Sequence, residues 1–157
     1  MTGFISFDEI MRQPLVPMDW IVEGLIGTGD RVVIYGEVAT MKSWIALDLG
    51  LAIFMGRPWL GNFGVPKARS VLYVDEEMNE RTLWRRVCRL GEGAGPAVPT
   101  ISAQFLSRAG VRIDQGGAEA LLKKCADHGF DPDVIIVDTL RRVLVGNENE
   151  ARHGCLR

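Results

Sequence analysis

Gly36-Glu37-Val38-Ala39-Thr40-Met41-Lys42-Ser43 places a glycine, a lysine and a serine at a spacing suited to gripping phosphate. The octapeptide follows an apolar run, Arg31-Val32-Val33-Ile34-Tyr35, and opens onto a helix-like run from Trp44 to Met55. Strand, loop, Gly-x5-Lys-Ser and helix form the context that a phosphate-binding P-loop requires. A helix N-terminus leaves backbone N–H groups unpaired and carries partial positive charge, so an anion sits well there. On this reading the N–H groups from Glu37 to Lys42 cradle the phosphates, Lys42 reaches the terminal ones, and the Ser43 hydroxyl ligates magnesium. Met41 stands where most such loops carry glycine. A side chain there crowds the loop, and a positive φ would be strained. The plainer reading is a glycine-led turn with a surface lysine.

A second stretch decides between them. Asp133-Val134-Ile135-Ile136-Val137-Asp138-Thr139 has four branched apolar residues in a row, the pattern of a buried parallel strand. Asp138 closes that strand, where open α/β sheets bind ligands. Such an Asp holds magnesium as the acid of a Walker B strand, although alone it reads as a turn cap. A third stretch, Val71-Leu72-Tyr73-Val74-Asp75-Glu76-Glu77, is another apolar strand ending in acid. Hydrolysis of a phosphate anhydride needs a group that orients or deprotonates water. Chemistry alone does not choose between Asp75, Glu76 and Glu77, and at least one of them serves a turn or a helix cap.

The elements that must position these residues alternate. A short helix and a proline-stiffened arm with Pro14 and Pro17 occupy residues 1–18, packed on the domain or on a neighbouring subunit. The pattern predicts strands over 31–35, 70–75, 101–106 and 134–138, and helices over 42–55, 79–90 and 118–128. Leu83, Val87 and Leu90 share one face of the second helix, with Arg81, Arg85, Arg86 and Arg89 mostly opposite, a pattern more typical of a solvated surface than of a nucleic-acid site. Residues 62–70 and 91–99 read as loops, and Gly129 ends the last helix. Alternating strands and helices predict an α/β fold, a mostly parallel sheet with helices on both faces.

Bulk properties exclude several classes. The 157 residues suit one domain, and a formal net charge of −2 offers no global basic field for nucleic acid. Cys88, Cys125 and Cys155 form no C-x-x-C pair and read as reduced thiols, which points to the cytoplasm. His128 and His153 lack partners at metal-ligand spacing. Asp8, Glu9 and Arg12 break up any signal-peptide pattern, and no apolar run is long enough to span a bilayer, so no membrane association is expected.

The chain resembles the RecA/DnaB-like P-loop ATPases, and within them the branch of plasmid RepA-type replicative helicases and related bacterial and phage ATPases. The segments that carry the likeness are Asp19 to Ile26, Lys42 to Leu49, Gly56 to Gly61, Val71 to Glu77, Asp138 to Arg142 and Gly146 to Asn149. They span residues 19–152, leaving 153–157 as a tail that does not match, as a frameshift or an early stop would leave. The resemblance implies a RecA-like nucleotide-binding domain acting on ATP with Mg2+. It places the catalytic carboxylate on Glu77, with Lys42 neutralising charge and Ser43 and Asp138 holding the metal. Non-glycine residues before the lysine also occur in this branch. It further implies a ring-forming homo-oligomeric motor on single-stranded DNA.

Family members continue past Gly146-Asn147-Glu148-Asn149 into a further helix, a sensor strand, DNA-binding loops and an arginine finger. In the RecA-like order that strand lies between the P-loop strand and the Walker B strand. The expectation is therefore a core incomplete at its C-terminus, with two strand edges that must close on each other, pair with another chain, or stay wet. A weak or inactive ATPase that unwinds no DNA, of marginal stability or self-associating, follows from it. Two other readings are a truncated nucleotide-binding remnant without hydrolysis and, less favoured, a small-molecule P-loop kinase with the Arg81–Arg89 helix as its lid.

Overall fold

The computed structural model describes residues 4–14, 16–92, 101–113 and 116–143. The expected loop at 93–99, the segment Gly146 to Asn149 and the tail from His153 lie outside the described residues.

Three strands form the central sheet: β3 (Val71–Asp75) in the middle, β4 (Ala103–Ser107) on one side and β5 (Val134–Asp138) on the other. All run parallel, and Asp75 sits in register with Ser107 and with Asp138. The C-terminal ends of all three strands therefore meet at one rim of the sheet. All five residues of β3 are buried, which explains its continuous apolar sequence. Side-chain alternation divides them between two layers. Tyr73 packs with Leu47 of α2 (Lys42–Met55) and Leu83 of α3 (Glu80–Gly91), and Val71 packs with Leu49 and Ile53 of α2. Leu72 and Val74 pack on the other face with Leu121 and Cys125 of α4 (Gly117–Asp127). Helices thus cover both faces, as expected.

Local signals explain the helix bounds. The Asn79 side chain accepts from Thr82 N at the start of α3. Gly56 closes α2 at φ 63° and packs on Ala68. Inside α2, Gly50 has no side chain because a Cβ there would lie 3.1 Å from Ile136 Cδ1, so the helix rides close to the sheet.

A hairpin precedes this layer, β1 (Trp20–Val22) with β2 (Ile26–Gly27), which the sequence reading did not anticipate. Ile21 and Val22 enter the cluster of Leu49, Ile53, Val65 and Val71. Arg69, itself buried, ties the hairpin down through Asp19 at 2.7 Å. Arg69 and, less strongly, Thr28 hold the Asp19 carboxyl below the usual carboxylate range by hydrogen bonding to it.

One expected element does not form. Residues 31–35 are not a sheet strand. They cross in the open from the hairpin to the P-loop, with Val33 66% and Tyr35 89% exposed. Among the described residues none of their backbone groups is hydrogen-bonded. Among the described residues the outer edge of β5 has no neighbour either. The apolar pattern loses because β propensity is a fit to a pleated, half-buried surface, and no neighbouring strand supplies that surface here.

The helix α1 (Phe7–Arg12) forms within the expected arm and buries no residue. A four-residue turn of helix, α5 (Leu140–Val143), follows β5.

Candidate functional site

The loop from Gly36 to Met41 delivers the chain to the first turn of α2. Met41, at the N-cap, is left-handed at φ 61° and ψ 17°, and Ala39 shares the region at φ 65°. The strain foreseen at Met41 is therefore present. Among the described residues, the backbone N–H groups of Glu37, Val38, Ala39, Met41 and Lys42 donate to no protein group, while a turn over 38–39 brings Thr40 back to Glu37. That leaves a run of donors at a helix N-terminus with nothing in the protein to satisfy it. Lys42 Nζ folds back over its own loop, donating to the Gly36 carbonyl at 2.9 Å and to the Glu37 carbonyl at 2.5 Å. Thr40 Oγ1 donates to the same Glu37 carbonyl at 2.7 Å.

Met41→Gly is expected to stabilise the protein. A left-handed non-glycine residue costs about 1–2 kcal/mol, and the added freedom of glycine returns roughly 0.5–1 kcal/mol of that gain. Urea unfolding of both forms measures the balance. A clear loss of stability in the variant is incompatible with a left-handed Met41.

The three acids after β3 take three different tasks. Asp75 is fully buried, and its Oδ1 accepts from Glu77 N at 2.9 Å and Met78 N at 2.7 Å. Glu76 reaches sideways to cap the Gly110 and Val111 N–H groups at 3.2 and 2.9 Å. Glu77 is exposed, and its Oε1 lies 3.3 Å from Thr139 Oγ1, one residue beyond Asp138. Arg108 clamps the turn from β4's end, with Nε and Nη2 donating to the Glu77 carbonyl at 3.0 and 2.8 Å. Ser107 Oγ adds a bond to the Met78 carbonyl at 2.7 Å.

Tyr73 links the two halves of the site. Its buried hydroxyl lies 3.2 Å from Asp138 Oδ2 and 3.4 Å from the Ser43 carbonyl. The start of α2 and the end of β5 are therefore held one hydroxyl apart. Burial, and then the charges of Asp138 and Asp75, push the Tyr73 hydroxyl well above the usual tyrosine range, so it stays a donor. The hard oxygen donors available here, the Ser43 hydroxyl and the Asp138 carboxylate, suit magnesium, which takes one or two protein carboxylates together with phosphate oxygens. Among the described residues no cluster of three or more metal-ligating side chains forms. Of the sequence-derived set, the Ser43 backbone carbonyl and the Asp138 carboxylate meet at the Tyr73 hydroxyl and Glu77 lies beside Thr139, whereas the Lys42 ammonium is turned onto its own loop.

Asp75 Oδ2 is buried beside this rim without a partner. Burial, and to a lesser extent the nearby Asp138 charge, raise the Asp75 carboxyl above its ordinary value of 3.8, against the two backbone N–H groups that lower it. A raised folded-state value means the charged form is the costly one. The penalty is absent below the unfolded value, grows as pH rises between the two values and is complete above the folded one. Asp75→Asn keeps an acceptor for the turn and removes the charge. At neutral pH it is expected to stabilise the nucleotide-free protein, because the buried charge beside Asp138 is gone, although the new Nδ2 inherits the unpartnered position of Oδ2. The gain should shrink toward pH 3, as seen in urea midpoints across a pH series, with 3.8 as the reference value. A pH-independent loss of stability contradicts this account.

Several participants escaped sequence reasoning: Tyr73, Thr139, Arg108, and Arg86, whose guanidinium stacks 4.8 Å over the Trp44 ring. Only the Asp75 cap had a local signal, an Asp whose side chain can bond the backbone two residues on.

A family model described as an AAA domain matches residues 3–154, nearly the whole chain. No curated protein and no solved structure matches. Among the described residues no helix is long and apolar enough to cross a membrane.

Proposed function

Since the chain belongs to the AAA domain family of ATP-binding P-loop ATPases, we propose that it binds magnesium-ATP on residues 36–43 and hydrolyses it. The motor this implies is RecA-like and related to the hexameric DNA helicases of plasmid or phage replication. The observation that carries the reading is the Tyr73 hydroxyl, within hydrogen-bonding distance of both the Ser43 carbonyl and Asp138. It brings a run of unpaired N–H donors and an acidic strand end to one place.

Each residue has a task. The N–H groups from Glu37 to Lys42 hold the phosphates, and Lys42 leaves its loop carbonyls for the terminal phosphate. The Ser43 hydroxyl and Asp138 hold magnesium, which when bound neutralises charge developing on the phosphate oxygens. Glu77, on a turn clamped by Asp75 and Arg108, orients the attacking water and takes its proton. Single-stranded DNA and further copies of the chain are the partners this reading implies.

One observation favours a slow enzyme. Among the described residues the segment 31–35 leads into the P-loop without a neighbouring strand, which leaves the phosphate grip anchored from the α2 side. Catalysis by electrostatic stabilisation depends on donors held in place beforehand. The expected result is nucleotide binding with slow turnover. ATP turnover by the purified chain, with and without single-stranded DNA, is the test. Brisk DNA-stimulated turnover from a monodisperse monomer overturns the slow-enzyme reading, and failure to bind ATP at all overturns the function.

A further inference from the structure

Two acceptors share the Tyr73 hydroxyl, which has one proton to give. Asp138 Oδ2 lies 3.2 Å away and the Ser43 carbonyl 3.4 Å away. A hydrogen bond to an ionised carboxylate is the stronger kind, so the proton goes to Asp138. The phenol cannot follow a partner that moves. Tyr73 is 1% exposed, and its ring packs with Leu47 of α2, Leu83 of α3 and, at 6.3 Å between centroids, Phe105 of β4. Packing on three sides makes the hydroxyl a donor fixed in place.

The strand register aims it. Asp138 stands opposite Asp75 across the parallel pair of β3 and β5, and Tyr73 precedes Asp75 by two residues. Side chains two apart on a strand share a face, so Tyr73 and Asp138 are diagonal neighbours on the face that α2 covers. The backbone of Asp138 is held as well, because its carbonyl accepts from Glu76 N at 2.8 Å. Main chain and one carboxylate oxygen are thus both tied, and Oδ1 is the oxygen left for a cation. Magnesium demands near-ideal octahedral geometry, whereas calcium accepts a looser and more variable set of oxygens. A carboxylate held in one orientation suits the stricter ion.

We propose that Tyr73 is a positioning residue for the divalent cation: its hydroxyl orients the Asp138 carboxylate and thereby makes the site prefer magnesium to calcium. The inference rests on the nucleotide reading above, in which Ser43 and Asp138 hold the metal. Removing a group that hydrogen-bonds a metal ligand costs roughly 10–100-fold in metal affinity. The effect of losing this hydroxyl therefore falls on the metal and not on the phosphate loop.

Calorimetric titration of ATP into the purified chain, in EDTA, in magnesium and in calcium, tests this. The native chain is expected to bind ATP more tightly with magnesium than in EDTA, and to gain less from calcium. Tyr73→Phe deletes the hydroxyl and keeps the ring packing, so its circular dichroism should stay native. Its ATP affinity in EDTA should stay close to native, while its gain from magnesium should fall by roughly 10–100-fold and its gain from calcium should fall less. Asp138→Asn removes the charge that the hydroxyl orients. Adding Tyr73→Phe to it should leave the magnesium gain where Asp138→Asn alone put it, since the two act as one unit. A merely structural role for the hydroxyl would instead give additive losses, or equal losses in EDTA and in magnesium, and either result overturns the inference. So do a native magnesium gain in Tyr73→Phe, losses equal for magnesium and calcium, and a native chain that binds ATP with no gain from magnesium. All of these leave ATP binding in place. A native chain that binds no ATP under any of the three conditions overturns the function itself, and this inference with it.

Discussion

Lys42→Ala is expected to abolish tight binding of magnesium-ATP and leave the fold in place. The ammonium bonds only to groups of its own loop, the Gly36 and Glu37 carbonyls and the Thr40 hydroxyl. These are exposed, so losing them costs the fold little. Binding is different, because the phosphates bring several negative charges to a site where Lys42 is the cation built into the loop. Hydrogen bonds to charged groups are worth about 1.5–3 kcal/mol each. Losing two of them weakens affinity by roughly a hundredfold or more, at about 1.4 kcal/mol per tenfold. Calorimetric titration of both proteins with ATP and magnesium reads this directly, beside urea unfolding as the control. Equal affinities in the two proteins would sink the P-loop assignment.

The second large effect belongs to turnover. Glu77→Gln should keep nucleotide affinity and lose hydrolysis by roughly 10²–10⁴-fold, the usual worth of a positioned general base. The amide is near in shape but takes up no proton, so the loss falls on rate and not on binding. Glu76→Gln is the matched control. Glu76 is occupied in capping the Gly110 and Val111 N–H groups, and its amide keeps one acceptor oxygen. Turnover in that variant should stay close to native, with a small loss of stability. Because native turnover is itself expected to be slow, single-turnover measurement with excess protein is the suitable format. A reversed pattern, with Glu76→Gln inactive and Glu77→Gln active, moves the role to Glu76 and with it the reading of the turn.

The elements were largely legible because their signals are local. The expected helix over 42–55 is α2 to the residue, and the expected strand over 134–138 is β5 to the residue. A run of branched apolar residues closed by Asp138, and a lysine-serine pair opening a glycine-terminated helix, need no tertiary information. The octapeptide from Gly36 to Ser43 is equally local, and the strain at Met41 follows from the absence of a glycine at a position whose φ is positive.

Other features could not be read locally. Asp75, Glu76 and Glu77 are three adjacent acids, and nothing in their order says which is buried, which caps a turn and which is free. That was decided by Gly110, Val111 and Arg108, which come from beyond β4 and are brought back by the parallel pairing of β3 with β4. Tyr73 could not be recognised as the link between Ser43 and Asp138 until β3 and β5 were set in register.

By itself, then, the sequence determined where α2, α3 and α4 lie, which apolar segments form β3, β4 and β5, and that a glycine-lysine-serine loop and acidic strand ends share one chain. Only the tertiary structure decided which of the three acids is buried, which caps a turn and which is exposed, and that residues 31–35 are not a strand. The physical reason is the same in both cases. A helix satisfies its backbone within itself, so its sequence suffices. A strand is completed by a neighbour whose edge N–H and C=O groups it must meet, and no local pattern can state whether that neighbour is there.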